Sequence, residues 1–138
     1  MKDTIVVTGG AGFIGSNLIK YLINKTNNKI ISIDNYSTGK VKNQINHKNV
    51  KYIEGQNKDI SKILKPYLKR IKVIFHFGEF SRIYQSFINT KTCLDYNIHH
   101  SFEVINFAKD NKIKIIYSAT SSNLGNNGRD ENLSPYAW

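Results

Sequence analysis

The most informative segment of this chain is Thr8-Gly9-Gly10-Ala11-Gly12-Phe13-Ile14-Gly15. It follows the apolar run Ile5-Val6-Val7, which is typical of a buried strand, and opens a segment with apolar residues at helical spacing. Gly9, Gly12 and Gly15 would let the backbone turn tightly, approach a pyrophosphate and pack the helix on the sheet. The helix N-terminus would offer free N–H groups to the phosphates. The strand and helix around these glycines predict a dinucleotide site, and a tight turn without a ligand is the alternative.

An acidic residue ends the second apolar run. Asp34 closes Ile30-Ile31-Ser32-Ile33 and lies 19 positions after Gly15. A carboxylate at this place can accept hydrogen bonds from the adenosine ribose hydroxyls and would repel a 2′-phosphate. We therefore predict NAD rather than NADP as the cofactor, although Lys40 nearby could attract a phosphate. The alternative role for Asp34 is to cap its own loop.

Short apolar runs alternate with amphipathic stretches along the rest of the chain. Further strands are predicted at 50–53, 72–77 and 113–117, and helices at 13–25, 59–69 and 90–109, with a weak helix at 41–47. Pro66 predicts that the second of these helices is short or broken. Alternating strands and helices predict an α/β fold, a Rossmann-type doubly wound parallel sheet of order 3-2-1-4-5. We expect one NAD(P)-binding domain over residues 1–138.

The formal net charge of +10 comes from 20 Lys and Arg against 10 Asp and Glu. Seventeen of the cations are Lys, scattered singly, and the chain also has 20 Ile and 17 Asn. A/T-rich codons encode all three residue types, so compositional bias explains the charge. We therefore expect no nucleic-acid partner, since that binding needs cations gathered against phosphates.

The composition also argues against a membrane span, a disulfide and a metal site. No apolar run approaches the about 18–20 residues that a membrane span requires, so no membrane partner is expected. Cys93 is the single cysteine, which rules out an internal disulfide and a cysteine-based zinc site. The four His residues have no ligand-like partners, and we predict no metal. The N-terminus shows no secretory signal, so the expected location is the cytoplasm.

Several further segments form a recognisable set: Asp34-Asn35-Tyr36-Ser37-Thr38-Gly39-Lys40, Asp59-Ile60, Phe75-His76-Phe77-Gly78, Asn97 and Tyr117-Ser118-Ala119-Thr120-Ser121-Ser122-Asn123-Leu124-Gly125. With the glycine stretch, they resemble the extended short-chain dehydrogenase/reductases, in particular the NAD-dependent nucleotide-sugar epimerases and dehydratases. Residues 78–80 and 134–138 look most like UDP-glucose 4-epimerase-type enzymes of surface-polysaccharide pathways. The resemblance implies that NAD is bound by Gly9, Gly12, Phe13, Ile14, Gly15, Asp34, Asn35, Ser37, Thr38, Gly39, Lys40, Asp59, Ile60, Phe77, Gly78, Glu79 and Asn97.

The resemblance also implies a catalytic centre. The family uses a Tyr-x-x-x-Lys pair, which Tyr136 begins, and the Lys would fall at position 140, beyond the last residue. A phenol with a pKa near about 10 is a poor base at neutral pH, so the Lys cation and the positive nicotinamide would favour the phenolate. Thr120 would position the sugar oxygen. Without the resemblance, Tyr136 would be interpreted as an ordinary loop aromatic.

The expected activity of the full-length protein is nucleotide-sugar epimerisation, with dehydration as an alternative. The family's C-terminal substrate lobe lies beyond these residues, so the 138-residue chain alone is expected to bind NAD without turnover. A rival from another class is a non-catalytic, redox-sensing NAD-binding module. We also expect a homo-oligomer or a self-associating fragment, since Ile113, Ile115 and Tyr117 of the last strand would be under-covered at a sheet edge.

Several other residues are given structural roles, or keep a structural role as one of two alternatives. His76 ends a buried strand and is expected to be a structural histidine with satisfied hydrogen bonds, with a catalytic role as the alternative. Cys93 is expected to be a small buried apolar group. The aromatic side chains of Phe80, Tyr84 and Phe87 fit either a sugar subsite or ordinary core packing.

Overall fold

A computed structural model of the chain describes residues 2–119, and its five strands form one parallel sheet. The strands are β1 (Thr4–Thr8), β2 (Lys29–Asp34), β3 (Val50–Glu54), β4 (Ile71–His76) and β5 (Lys114–Tyr117). They lie in the order β3-β2-β1-β4-β5. The predicted Rossmann-type order is therefore confirmed.

Within the described residues, five α-helices connect and cover these strands. They are α1 (Phe13–Lys25), α2 (Ile60–Leu64), α3 (Ile83–Ile88), α4 (Thr90–Leu94) and α5 (Ser101–Asp110). A π-helical segment joins α4 to α5, and short 3₁₀ segments occur elsewhere: Asp95–His100 (π), Val41–Asn43, Asn57–Asp59 and Lys65–Arg70 (3₁₀). No described helix is long and apolar enough to cross a bilayer.

The central strand β1 is buried along its whole length, and its side chains pack into two core layers, one on each face of the sheet. Val6 faces the layer that contains Leu64 of α2 and Val104 of α5. Ile5 and Val7 face the opposite layer, which α1 covers. Because successive strand residues point to opposite faces, an uninterrupted apolar run is what a strand covered on both sides requires. Full burial of each such side chain contributes about 1.5–3 kcal/mol.

The predicted helix at 90–109 is a helix with an irregular centre. Its π-helical segment, Asp95–His100, adds a residue to the turn, a feature that periodicity of apolar residues does not reveal. The stretch expected to be a loop before it contains α3. This helix was not predicted because it has no apolar face that is buried against the core. Its large apolar side chains are exposed: Ile83, Tyr84, Phe87 and Ile88.

Two other helix predictions are settled by the backbone. The predicted weak helix at 41–47 is only the single turn Val41–Asn43. The predicted break at Pro66 is confirmed, because α2 ends at Leu64 and a 3₁₀ segment with Pro66 in its first turn continues to Arg70. Proline lacks the N–H that a continuing α-helix would need.

The edge strand β5 departs from its predicted exposure. Ile113 and Ile115 are partly buried and pack against the core layer under α5, so they are better covered than predicted. Tyr117 is exposed at 47%, in agreement with the prediction, and Ile116 is also exposed, at 37%. Helix α5 covers one face of the strand and leaves its end open.

Candidate active site

A cavity of about 440 Å³ lies where the five strands of the described sheet end. Its wall includes Gly9 after β1, Asp34 at the end of β2, Phe77 after β4 and Ser118 after β5. The strand order reverses between β1 and β4, so this is the crevice where open α/β sheets bind their ligands.

The cavity brings most of the predicted cofactor residues together. Fourteen of them line it: Gly9, Gly12, Phe13, Ile14, Gly15, Asp34, Asn35, Ser37, Thr38, Gly39, Phe77, Gly78, Glu79 and Asn97. Lys40, Asp59 and Ile60 are not part of the wall, and the side chain of Ile60 is wholly buried in the core. Thr120 and Tyr136 lie outside the described residues.

The glycine turn has two glycines with different structural demands. Gly9 has a φ of +69°, and a Cβ there would lie 2.5 Å from the carbonyl oxygen of Phe77. Gly12 has the ordinary φ of −76°, and a Cβ would meet only the carbonyl oxygen of Gly9, at 3.2 Å. Gly9 is therefore needed by the turn itself, whereas Gly12 keeps the cavity wall open.

Helix α1 begins without a cap. Gly12 supplies no side-chain hydrogen bond, and the first turn contains no acidic residue. The N–H groups of the first turn have no partner within the helix, and Phe13, Ile14 and Gly15 line the cavity. These N–H groups and the positive end of the helix dipole suit the pyrophosphate of a dinucleotide.

Asp34 shapes the loop and also faces the cavity. Its Oδ2 accepts a hydrogen bond from the Ala11 N–H at 2.8 Å, and Oδ1 accepts one from the Tyr36 N–H at 2.8 Å. Each carboxylate oxygen has capacity for a further hydrogen bond. The loop-capping role and a ribose-binding role are therefore compatible in one side chain.

A chain of polar side chains runs behind the β4 side of the cavity. The Thr8 Oγ1 and His76 Nδ1 atoms lie 2.6 Å apart, and His76 Nε2 lies 2.9 Å from Ser101 Oγ. Ser101 Oγ is 3.4 Å from Glu79 Oε1, and Glu79 is also hydrogen-bonded to Tyr117. His76 is fully buried, and burial lowers its pKa to about 4. The prediction of a structural histidine with satisfied hydrogen bonds is confirmed.

The loop after β4 is held by two amide side chains. Asn97 Oδ1 accepts the Phe80 N–H at 2.7 Å, and its Nδ2 donates to the Phe80 carbonyl oxygen at 3.1 Å. Asn57 Nδ2 donates to the Gly78 carbonyl oxygen at 2.8 Å. The amide of Asn97 thus positions the loop, and Asn57, which follows β3, is a wall residue that sequence reasoning missed.

Nine other wall residues were also missed. They are Ile33, Gly55, Ser81, Arg82, Tyr96, His100, Tyr117, Ser118 and Ala119. Those next to strand ends could have been found from the rule that parallel strands meet a ligand at their carboxyl ends. Tyr96 and His100 reach the wall from the π-helical segment, which no pattern of apolar residues indicates. The described residues contain no group of three or more metal-ligating side chains, and Cys93 is buried.

The chain matches known proteins along nearly all of its length. The model of the NAD dependent epimerase/dehydratase family matches residues 5–137. The ADP-L-glycero-D-manno-heptose-6-epimerase of Brachyspira hyodysenteriae is 33% identical over 137 residues, which cover 92% of this chain and 41% of that protein.

Two solved structures are similar in both sequence and fold. The UDP-N-acetylglucosamine 4-epimerase of Methanobrevibacter ruminantium M1, solved with UDP-N-acetylmuramic acid, is 34% identical, with a TM-score of 0.83, over 99% of this chain and 47% of that one. The UDP-glucose 4-epimerase of Thermotoga maritima, solved with UDP-glucose, is 27% identical, with a TM-score of 0.83, over 97% of this chain and 46% of that one. The chain thus spans less than half the length of each relative. It belongs to the NAD dependent epimerase/dehydratase family.

Proposed function

We propose that this chain is the NAD-binding domain of a nucleotide-sugar epimerase. The observation that carries the proposal is the opening of α1 onto the cavity. Gly12 leaves space where a side chain would stand, and the uncapped first turn directs its N–H groups at that space. A pyrophosphate is the anion that fits this arrangement, because the backbone supplies both the donors and the close approach.

The two ends of the cavity suit the two halves of NAD. Asp34 offers its carboxylate to the adenosine ribose beyond β2. Glu79, which follows β4, and Tyr117, which ends β5, border the opposite end of the cavity. A dinucleotide that spans the reversal of strand order therefore places its nicotinamide near β4 and β5.

Catalysis is assigned to residues that follow β5. Ala119 lines the cavity, and Thr120 comes next in the chain, so we assign its hydroxyl to positioning the sugar oxygen. Tyr136 is assigned as the base that removes the sugar hydroxyl proton. Bound NAD would supply the hydride acceptor and later return the hydride to the sugar. The roles of Lys40, Asp59 and Ile60 in cofactor binding remain predictions.

The substrate class proposed is a nucleoside diphosphate sugar. The relatives include one that is named for an ADP-heptose and two that are named for UDP-sugars. A sugar dehydratase and an NAD-binding module without turnover are the competing assignments. A turnover assay of the full-length protein that contains this chain distinguishes these assignments, because only an epimerase interconverts two sugar stereoisomers with no net loss of water.

Calorimetric titration with NAD tests the cofactor site. Gly12→Val places a branched side chain in the cavity, whereas Lys20→Val makes the same kind of change on the exposed face of α1. We expect the first variant to lose NAD binding and the second to keep it, with far-UV circular dichroism unchanged in both. Equal NAD affinity in Gly12→Val and the unmodified chain would place the site elsewhere.

A turnover assay tests the enzymatic assignment. The full-length protein is incubated with UDP-glucose, UDP-N-acetylglucosamine or an ADP-heptose, and the stereoisomers are separated by chromatography. We expect epimerised product, which Tyr136→Phe abolishes while NAD binding persists. NAD binding with no turnover of any nucleotide sugar would favour the redox-sensing module.

A further inference from the structure

We propose that the carboxylate of Glu79 makes this cofactor site bind oxidised NAD in preference to reduced NAD. The inference rests on the proposed NAD site and adds a role for one wall residue. The hydrogen bonds behind the cavity have directions that follow from their donors and acceptors.

Thr8 fixes the direction of the first hydrogen bonds. Its Oγ1 accepts the N–H groups of Phe77 and Gly78, both at 3.2 Å. The Thr8 hydroxyl is therefore free to donate its own hydrogen to His76 Nδ1, 2.6 Å away. A neutral imidazole carries one hydrogen, which must then sit on Nε2. His76 consequently donates to Ser101 Oγ at 2.9 Å.

The remaining donors converge on Glu79. Ser101 Oγ, already an acceptor for His76, shares its hydrogen between Glu79 Oε1 at 3.4 Å and the Tyr96 carbonyl oxygen at 3.3 Å. The Tyr117 hydroxyl is hydrogen-bonded to the same carboxylate. Burial raises the pKa of Glu79, and both hydroxyl hydrogen bonds oppose that rise because they stabilise the anion. The net effect is a raised pKa, which the two hydroxyl donors keep below the value that burial alone would give.

Among residues 2–119, no ion pair joins this carboxylate to a cation. The described wall residues include two acids, Asp34 and Glu79, and Asp34 lies at the adenosine end. Arg82 also lines the cavity, but it is exposed, so water screens its charge. Burial lowers the pKa of His76 to about 4, and it also lowers the pKa of His100, which lines the same cavity. Glu79 therefore presents a negative charge to the part of the cavity bordered by β4 and β5.

The two forms of the cofactor respond differently to that charge. The nicotinamide ring is positively charged when oxidised and neutral when reduced. A nearby carboxylate attracts the first form and has little effect on the second. An epimerase begins and ends its cycle with the oxidised form, so a site that favours this form retains the cofactor in the state that accepts a hydride.

The test compares the affinities of one protein for NAD⁺ and NADH. Both are titrated, by calorimetry and by NADH fluorescence, into the unmodified protein, Glu79→Gln and Glu103→Gln. The Gln at position 79 keeps the size and hydrogen-bond acceptor of Glu and removes its charge. Glu103 lies exposed on α5 outside the cavity, so it controls for the loss of one negative charge elsewhere.

We expect Glu79→Gln to weaken NAD⁺ binding about tenfold relative to NADH binding, which corresponds to about 1.4 kcal/mol. Glu103→Gln should leave the ratio unchanged. If Glu79→Gln misfolds, Tyr117→Phe removes one donor to the carboxylate and should shift the ratio in the same direction. An unchanged ratio, or an equal loss for both forms, overturns the role of Glu79. Failure of the unmodified protein to bind either form overturns the proposed function instead, and this inference with it.

Discussion

Asp34 and Ala11 are 23 residues apart in sequence and are joined by a 2.8 Å hydrogen bond from the Ala11 N–H to Asp34 Oδ2. This contact fixes the end of β2 against the glycine turn that follows β1. The same carboxylate accepts the Tyr36 N–H, so both of its oxygens shape the backbone before any ligand binds. The residue proposed to select the cofactor is therefore also a residue that preorganises the site.

The first prediction concerns this carboxylate. Asp34→Asn removes the charge and places an amide group opposite a backbone N–H, so one of the two loop contacts is lost. We expect NAD affinity to fall by about 1–3 kcal/mol, and the preference over NADP to narrow, because the 2′-phosphate is no longer repelled. Calorimetry with both cofactors measures this. The control is Asp110→Asn at an exposed position on α5, and a native preference for NADP would contradict the prediction.

The second prediction separates two glycines by stability rather than by binding. Gly9→Ala forces a side chain into a left-handed backbone and against the Phe77 carbonyl group, so we expect it to cost at least about 2 kcal/mol. Gly12→Ala, with ordinary backbone angles, should cost less than about 1 kcal/mol. Urea unfolding of both variants measures the difference. Equal losses of stability would show that Gly12 is also required by the fold.

The third prediction concerns the clamp on the β4 loop. Asn97→Leu removes both hydrogen bonds to the Phe80 backbone, and we expect a loss of about 1–3 kcal/mol. Amide hydrogen exchange at Phe80 should accelerate, because its N–H loses its acceptor. Asn106→Leu on α5 is the matched control, since its side chain accepts a hydrogen bond from Lys109 on the same helix. Unchanged protection at Phe80 would show that the loop is held by other contacts.

The fourth prediction is a pH dependence of folding. Burial lowers the pKa of His76 from 6.5 to about 4. At pH values between these two, the imidazole is protonated in the unfolded chain and neutral in the folded chain. Stability from this group is complete above pH 6.5 and falls as the pH decreases toward about 4. The slope is about 1.4 kcal/mol per pH unit, for a total of about 3 kcal/mol.

Urea unfolding between neutral pH and the onset of acid unfolding measures this slope. The reference is His76→Gln, whose side chain forms hydrogen bonds and does not titrate. We expect the variant to lack the component of the slope that the unmodified chain shows. Parallel curves for the two proteins would assign the acid sensitivity to other groups.

The fifth prediction concerns the edge strand. β5 ends the described sheet, and Ile116 and Tyr117 are exposed on it, so we expect self-association at high concentration. Ile116→Lys should lower the association measured by sedimentation velocity, because a charge on an edge strand disfavours pairing. Val41→Lys makes the same kind of change at another exposed apolar position. A strictly monomeric protein at high concentration would refute the prediction.

The local patterns of this chain were sufficient to predict its sheet. Ile5-Val6-Val7 and Ile30-Ile31 are apolar at successive positions, which only a strand covered on both faces can bury. Glycine at positions 9, 12 and 15 and the acid at 34 have fixed spacings to those strands. Fourteen wall residues were predicted from these spacings and from the family resemblance. This was possible because the position of a loop is set by the two consecutive elements that it joins.

The tertiary structure alone decided the contacts between distant segments. Thr8, His76 and Ser101 lie on β1, β4 and α5, and no local pattern shows that their side chains form one hydrogen-bonded chain. The irregular turn Asp95–His100 depends on packing rather than on periodicity, and it brings Tyr96 into the wall. Sequence spacing fixes the neighbours of a residue along its own element. Which side chains meet across elements, and hence which carboxylate is buried and hydrogen-bonded, depends on how the completed elements pack.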